Sequence, residues 1–271
     1  MSETSSLAGL KILVTRPCGQ GETLMDAIRQ SGGEAVSFPL LEIEPIADGR
    51  RQAEIRQLVQ DLDQYHFLIF ISSNAARYGL QWIDQYWPQF PVGVEVVAVG
   101  PTTAAALEVL PCRVQTSATG MLSEDILQLP VLREVEDKKI ALFRGVGGRE
   151  LLADTLRERG AQVDYIETYE RHSVTHSAAE LLQLLQRENV NVLTVTSGQI
   201  LDSLCQLVDI TQTGINLIPL LVPSERIKEM AVAAGFKQVV CSHGATDGAV
   251  VAGLAELAGR LRKQNGGSDN G

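Results

Sequence analysis

The segment KILVTRPCGQGETLMDAIRQSG, beginning at Lys11, lies without a gap on KIALFRGVGGRELLADTLRERG, beginning at Lys139. Identical residues include Lys11/Lys139, Ile12/Ile140, Arg16/Arg144, Gly19/Gly147, Glu22/Glu150, Leu24/Leu152, Asp26/Asp154, Arg29/Arg157 and Gly32/Gly160. Each copy reads as an apolar strand, a glycine turn, a helix with leucines at helical spacing and a closing glycine, so the chain holds a duplicated βα unit. Weaker pairs follow in the same order. FLIFISSNA matches VLTVTSGQI, VVAVGPTTA matches PLLVPSERI, and the region Thr116 to Thr119 matches Cys241 to Thr246.

Further strand-like runs start at Phe67, Val94, Val190, Ile218 and Lys237, each followed by a polar or glycine turn and a helical pattern. That alternation belongs to parallel sheets covered on both faces. Hydrophobic residues at 45 % with only 5 % aromatics suit such layering better than a β-sandwich. Two similar doubly wound α/β domains with a cleft between them are expected, with ligands beyond the carboxyl ends of the strands. The ends, before Leu10 and after about Lys263, read as disordered tails.

A net charge of -10 argues against nucleic acid, which needs a basic face. It leaves room for a small anion held by a few arginines and helix N-termini. No signal peptide or apolar run of membrane-spanning length is evident, so a cytoplasmic protein is expected. Cys18, Cys112, Cys205 and Cys241 lie far apart without a C-x-x-C pair, the pattern of reduced thiols and not of a zinc site.

The loop at Gly145, Gly147 and Gly148 fails both nucleotide fingerprints: Glu150 stands where G-x-G-x-x-G needs its last glycine, and no G-K-[ST] is present. It reads either as a bare βα turn or as a close-approach backbone for an anion. Hydroxyls recur after the strands, at Ser72-Ser73-Asn74, Thr102-Thr103, Thr196-Ser197-Gly198, Ser224 and Thr246. Singly each is an N-cap; together they suggest a polar cleft. Ser197 lacks a nucleophile elbow, which disfavours a hydrolase. His172 and His176 lack a metal motif and are expected to be exposed. Tyr169 falls near the end of a strand, as packing or as a proton donor.

VTRP at Val14, FISSNAA at Phe70, VAVGPTTAAAL at Val97, the run from Phe143 to Arg171, TVTSG at Thr194 and SHGATDGAVVAGL at Ser242 occur in the order seen in uroporphyrinogen-III synthases, and the chain resembles that family over nearly its whole length. The resemblance implies two flavodoxin-like domains joined by two crossing strands, EAVSFPLLEIEP and VDYIETYER. Residues 1–37 with 170–265 would form one domain, 38–169 the other, and 266–271 a tail. A tandem split near Asp137 is the structural alternative.

It further implies a lyase of porphyrin and heme biosynthesis that cyclises hydroxymethylbilane with inversion of ring D and loss of water, without cofactor or metal. By family position Tyr169 would assist departure of the hydroxyl, with Thr103 and Thr246 facing the cleft. Ser72, Ser73, Asn74, Gly100, Ser197, Gly198 and Ser224 would meet substrate carboxylates, as would the backbone of Gly145, Gly147 and Gly148. Arg16 and Arg144 either pair with those carboxylates or anchor strand ends. The expected partners are the linear tetrapyrrole and, transiently, the preceding enzyme of the pathway, with the chain itself a monomer. The competing readings are a two-domain binding protein for a small anion and a nucleotide-sugar transferase.

Overall fold

The computed structural model describes residues 6–117, 123–148 and 150–266. Along the chain the elements begin with β1 (Lys11–Val14), α1 (Glu22–Gln30), β2 (Glu34–Ser37), β3 (Leu41–Pro45), α2 (Gly49–Gln60), β4 (Phe67–Phe70) and α3 (Ser73–Tyr86). Next come β5 (Glu95–Ala98), α4 (Pro101–Ala106), β6 (Val114–Thr116), α5 (Ser123–Ile126), β7 (Lys139–Gly145), α6 (Leu151–Glu158) and β8 (Gln162–Ser173). The chain closes with α7 (Ala178–Arg187), β9 (Val192–Thr194), α8 (Gly198–Leu207), β10 (Leu220–Val222), α9 (Glu225–Ala233), β11 (Val239–Cys241) and α10 (Asp247–Gly266).

These elements form two compact units, Met1–Glu42 with His172–Gly271, and Ile43–Arg171. The first sheet has the order β11-β10-β9-β1-β2 and the second β3-β8-β7-β4-β5-β6. Read from the other edge, the second runs β6-β5-β4-β7-β8 before β3, matching the first strand for strand. The duplicated strands β1 and β7 therefore hold the same place, β1 between β9 and β2, β7 between β4 and β8, all paired in parallel.

Alternate residues along each strand feed opposite faces, as a pleated strand demands. In the first unit Leu13, Leu193, Leu220 and Val222 enter one apolar cluster, while Ile12, Val14, Val192, Leu221 and Val240 enter another. In the second, Leu68, Phe70, Ala141 and Phe143 go to one face and Phe67, Ile69, Ile140 and Leu142 to the other. Such double burial explains why these strands read as continuous apolar runs.

The structure departs from expectation at the crossings and at the chain ends. EAVSFPLLEIEP is not one strand: it splits into β2 in the first sheet and β3 in the second, at Phe38-Pro39-Leu40, where Pro39 has no N–H for a ladder. The units change at Glu42/Ile43, beyond the expected residue 37, because Phe38, Leu40 and Leu41 are buried in the first unit's core. They change back at Arg171/His172, where β8 is still tied to the second sheet through the Val146 N–H to the Tyr169 carbonyl at 2.8 Å. At the N-terminus, Leu7 is fully buried and its N–H reaches the Ser31 carbonyl, so order begins before Leu10. At the other end α10 runs through Gly266. Positions 267–271 of the expected tail, and positions 118–119 of the weaker repeat match, lie outside the described residues.

Candidate functional site

The candidate catalytic and binding residues lie at or just beyond the carboxyl ends of parallel strands, distributed over both units. In the second unit they centre on Tyr169. A β-bulge falls between Arg144 and Gly145 of β7, which pair with Glu167 and Tyr169 of β8, so Thr168 is the extra residue. Bulges of this kind re-aim a side chain. Here the Tyr169 ring lies against Gly145: a Cβ there would stand 2.5 Å from Cε2 and 2.6 Å from Cζ of the ring. Glycine at position 145 is a steric requirement of Tyr169.

The Tyr169 side chain has no exposed surface. Its ring stacks on Tyr78, centroids 5.6 Å apart. Its oxygen accepts from the Arg171 guanidinium at 2.9 Å and shares a hydrogen bond with Ser72 Oγ at 3.0 Å. Arg171 also lies over the ring face, 5.2 Å from its centroid. Ser72 is the N-cap of α3 and accepts the Ala75 N–H at 3.0 Å. A hydroxyl oxygen can accept twice and still donate, so Ser72 can bridge the buried phenol to whatever lies beyond it. Ser73 is exposed and Asn74 half-buried at the start of the same helix. Gly100 caps α4 with φ at 82°, and Thr103 in that helix is buried.

The glycine loop after β7 is wired internally. The buried Arg144 guanidinium donates to the Gly147 carbonyl, pairs with Glu150 at 3.1 Å and lies 4.6 Å over the Tyr165 ring. The Gly147 N–H donates to Glu167 Oε1 at 3.2 Å. Gly147 and Gly148 have φ of 70° and 110°, the left-handed backbone that favours glycine. The Tyr165 hydroxyl, ahead of Arg144, holds the Glu150 carboxyl below its ordinary range. Of the two readings of Arg144, the anchoring one matches these contacts.

In the first unit Arg16, at the duplicate position, likewise bonds within the protein, to the Asp247 carboxylate and to the Ala245 carbonyl at 2.6 Å. It pins the turn that starts α10, where exposed Thr246 accepts the Ala249 N–H at 3.3 Å. Ser197 caps α8 and Ser224 caps α9, each through its hydroxyl, and Gly198 is the first residue of α8.

The histidines do not share one environment. His172 is exposed, but His176 is half-buried, stacked 4.2 Å from Phe38 and bonded to the Pro39 carbonyl at 2.8 Å, which corrects the expectation of solvent exposure. A cavity of about 650 Å³ lined by Trp87, Phe90 and Val109 lies at the far end of α3 from Ser72 and shares no residue with the candidates. Sequence reasoning passed over Glu167 and gave Arg171 no role. Both stand two residues from Tyr169, and strand alternation about Tyr169 would have raised them.

The glycine geometry carries a prediction. Gly145→Ala is expected to lower stability by about 1–3 kcal/mol, the usual range for overpacking a core, in a urea titration. Gly49→Ala, where nothing lies within 4 Å of the new methyl, serves as its control with no loss. Equal midpoints for both variants would mean that Tyr169 does not rest on Gly145.

A family model described as uroporphyrinogen-III synthase HemD matches residues 22–252. The uroporphyrinogen-III synthase of Escherichia coli (strain K12) is 32 % identical over 251 residues, covering 90 % of this chain and 100 % of that protein. The Salmonella typhimurium protein of the same name is 31 % identical over 248 residues, with the same coverage of each. Among solved structures, a mutant uroporphyrinogen III synthase from the extremely thermophilic bacterium Thermus thermophilus aligns with a TM-score of 0.60 at 18 % identity, covering 94 % of this chain and 99 % of its own. The enzyme from Helicobacter pylori 26695 aligns at 0.59 with 15 % identity, over 93 % and 99 % of the two chains. At such identities the structural likeness speaks for the fold.

Proposed function

Because the chain belongs to the uroporphyrinogen-III synthase family, we propose that it acts as a lyase on hydroxymethylbilane, closing this linear tetrapyrrole to uroporphyrinogen III with ring D inverted and water lost. In this reading the C–O bond to the terminal hydroxyl breaks as a proton reaches the leaving oxygen. A spirocyclic pyrrolenine then forms and rearranges, and a proton lost from the ring restores the balance. The chain works as a cytoplasmic monomer, in transient contact with the preceding enzyme, and the step itself calls on no cofactor or metal.

The observation that carries the chemical part is the hydrogen-bonded line Arg171–Tyr169–Ser72. Tyr169 is buried, so its proton leaves through Ser72: the phenol gives its proton to Ser72 Oγ as Ser72 gives its own to the departing hydroxyl. Arg171, facing the phenol oxygen, stabilises the negative charge that develops there. Binding draws on the helix N-termini capped by Ser72, Ser197 and Ser224, which favour carboxylates, together with Ser73, Asn74, Gly100, Gly198 and Thr246, whereas Thr103, expected to face the cleft, is only 2 % exposed and offers a substrate almost no surface. At Gly147 a substrate carboxylate would take the place that the Glu167 carboxylate holds, because that N–H is already donated to it. The binding role for Gly145 and Gly148 is therefore secondary to their packing role. Holding the chain ends in the productive order, against direct end-to-end closure, does much of the work.

Freshly made hydroxymethylbilane supplied to the full-length protein, followed by oxidation and separation of the uroporphyrin isomers, tests this directly. The type III isomer should dominate. Only type I, formed at the spontaneous rate, would remove the reading and leave a binding protein in its place.

A further inference from the structure

We infer that Glu225, Cys241 and His243 form a site for a divalent cation of the zinc class. Parallel pairing sets Val222 beside Cys241, so the end of β10 and the end of β11 lie side by side. From the first, Pro223 and Ser224 lead into α9, whose first residue is Glu225. From the second, His243 follows Cys241 by two residues in a left-handed conformation, φ 53°, that folds it back on the cysteine. Its N–H donates to Cys241 Sγ at 3.4 Å, and its Nδ1 stands 3.6 Å from the same sulfur. The ligand atoms of Glu225, Cys241 and His243 all lie within 4.8 Å of one another.

That spacing fits an ion. With Zn–S about 2.3 Å and Zn–N about 2.05 Å, the edge of a tetrahedron between sulfur and nitrogen is about 3.6 Å. The donor set narrows the class. A thiolate with an imidazole turns away magnesium and calcium, which take oxygen ligands, and suits zinc, with cobalt as its spectroscopic stand-in. Cys241 is buried while Glu225 and His243 are exposed, so the protein supplies three ligands and the solvent side leaves a fourth position to water. Lys228, 3.0 Å from Glu225 Oε2, is the internal competitor for the carboxylate. Being half-buried and open to solvent on one side, it can give way to a doubly charged ion.

The test uses the untagged, reduced, full-length protein. Titration with cobalt should give a thiolate-to-metal charge-transfer band in the near ultraviolet that saturates at one ion per chain and is displaced by zinc. Cys241→Ser should abolish the band. His243→Asn, whose side chain tolerates the same left-handed backbone, should weaken zinc binding at least about tenfold in competition with a chromogenic chelator. Cys18→Ser, an exposed cysteine elsewhere, should change nothing. If Cys241→Ser does not fold, His243→Asn decides alone. No band in the unaltered protein, a band that survives Cys241→Ser, or zinc affinity unmoved by His243→Asn would each overturn the site.

Discussion

Tyr169→Phe is expected to lower turnover of hydroxymethylbilane several-fold to about a hundredfold, the range usual for loss of a general acid. The upper end corresponds to about 2.7 kcal/mol of transition-state stabilisation. The ring, its stacking on Tyr78 and its seat on Gly145 all remain, so the change isolates the hydroxyl. Two further variants separate a chemical role from a structural one. Ser72→Ala breaks the line on its outer side, and Arg171→Gln removes the charge that faces the phenol oxygen. If the proton passes along the line, kcat falls with KM nearly constant, and Tyr169→Phe with Ser72→Ala is far from additive, as expected of groups that act as a unit. Unchanged turnover and isomer ratio in Tyr169→Phe would take Tyr169 out of the mechanism.

Phe143→Ala is expected to destabilise the second unit by about 3–5 kcal/mol, the usual cost of emptying a buried aromatic site. Phe143 has no exposed surface, stacks on Phe70 with centroids 4.4 Å apart and fills the space left by Gly79, where an added Cβ would meet its Cδ1 at 2.7 Å. The first unit has its own core, so the loss need not spread to it. Both tryptophans of the chain, Trp82 and Trp87, belong to the second unit, and their fluorescence reports on it alone. In urea the fluorescence midpoint should fall by about 1 M or more, while far-ultraviolet dichroism separates into two transitions. A single transition shared by both probes and shifted together would show that the units unfold as one.

The parts of the fold that were legible are those whose physics is local. β1, β4, β5, β7, β9, β10 and β11 announce themselves as apolar runs because both faces of each sheet are covered. β6 went unread: its residues Val114–Thr116 are half-buried at a sheet edge and carry no apolar run. The hydroxyls after the strands were visible with their simplest role, and Ser72, Ser197 and Ser224 do cap helices. What could not be read was company. That Glu167 takes the Gly147 amide, that Arg144 and Arg16 are turned inward, and that Glu225 meets Cys241 and His243 all depend on strand pairing, bulge position and backbone hand.

The sequence by itself determined the two copies of the βα unit and most of the strands and helices, since period and turn chemistry act over a few residues. Which copies belong together is not in the local pattern: the resemblance alone implied a discontinuous grouping, and the tertiary structure decided where the chain changes unit, at Glu42/Ile43 and Arg171/His172. The repeats run in tandem, yet each unit joins elements of both: β1 and β2 of the first copy pair with β9, β10 and β11 of the second, and β4, β5 and β6 of the first with β7 and β8 of the second. Like strands in the two copies carry nearly the same local pattern, so propensity is indifferent to the choice. It is settled by long-range contacts: Phe38, Leu40 and Leu41 buried in the first unit's core beyond β2, and β8 held to β7 as far as Tyr169.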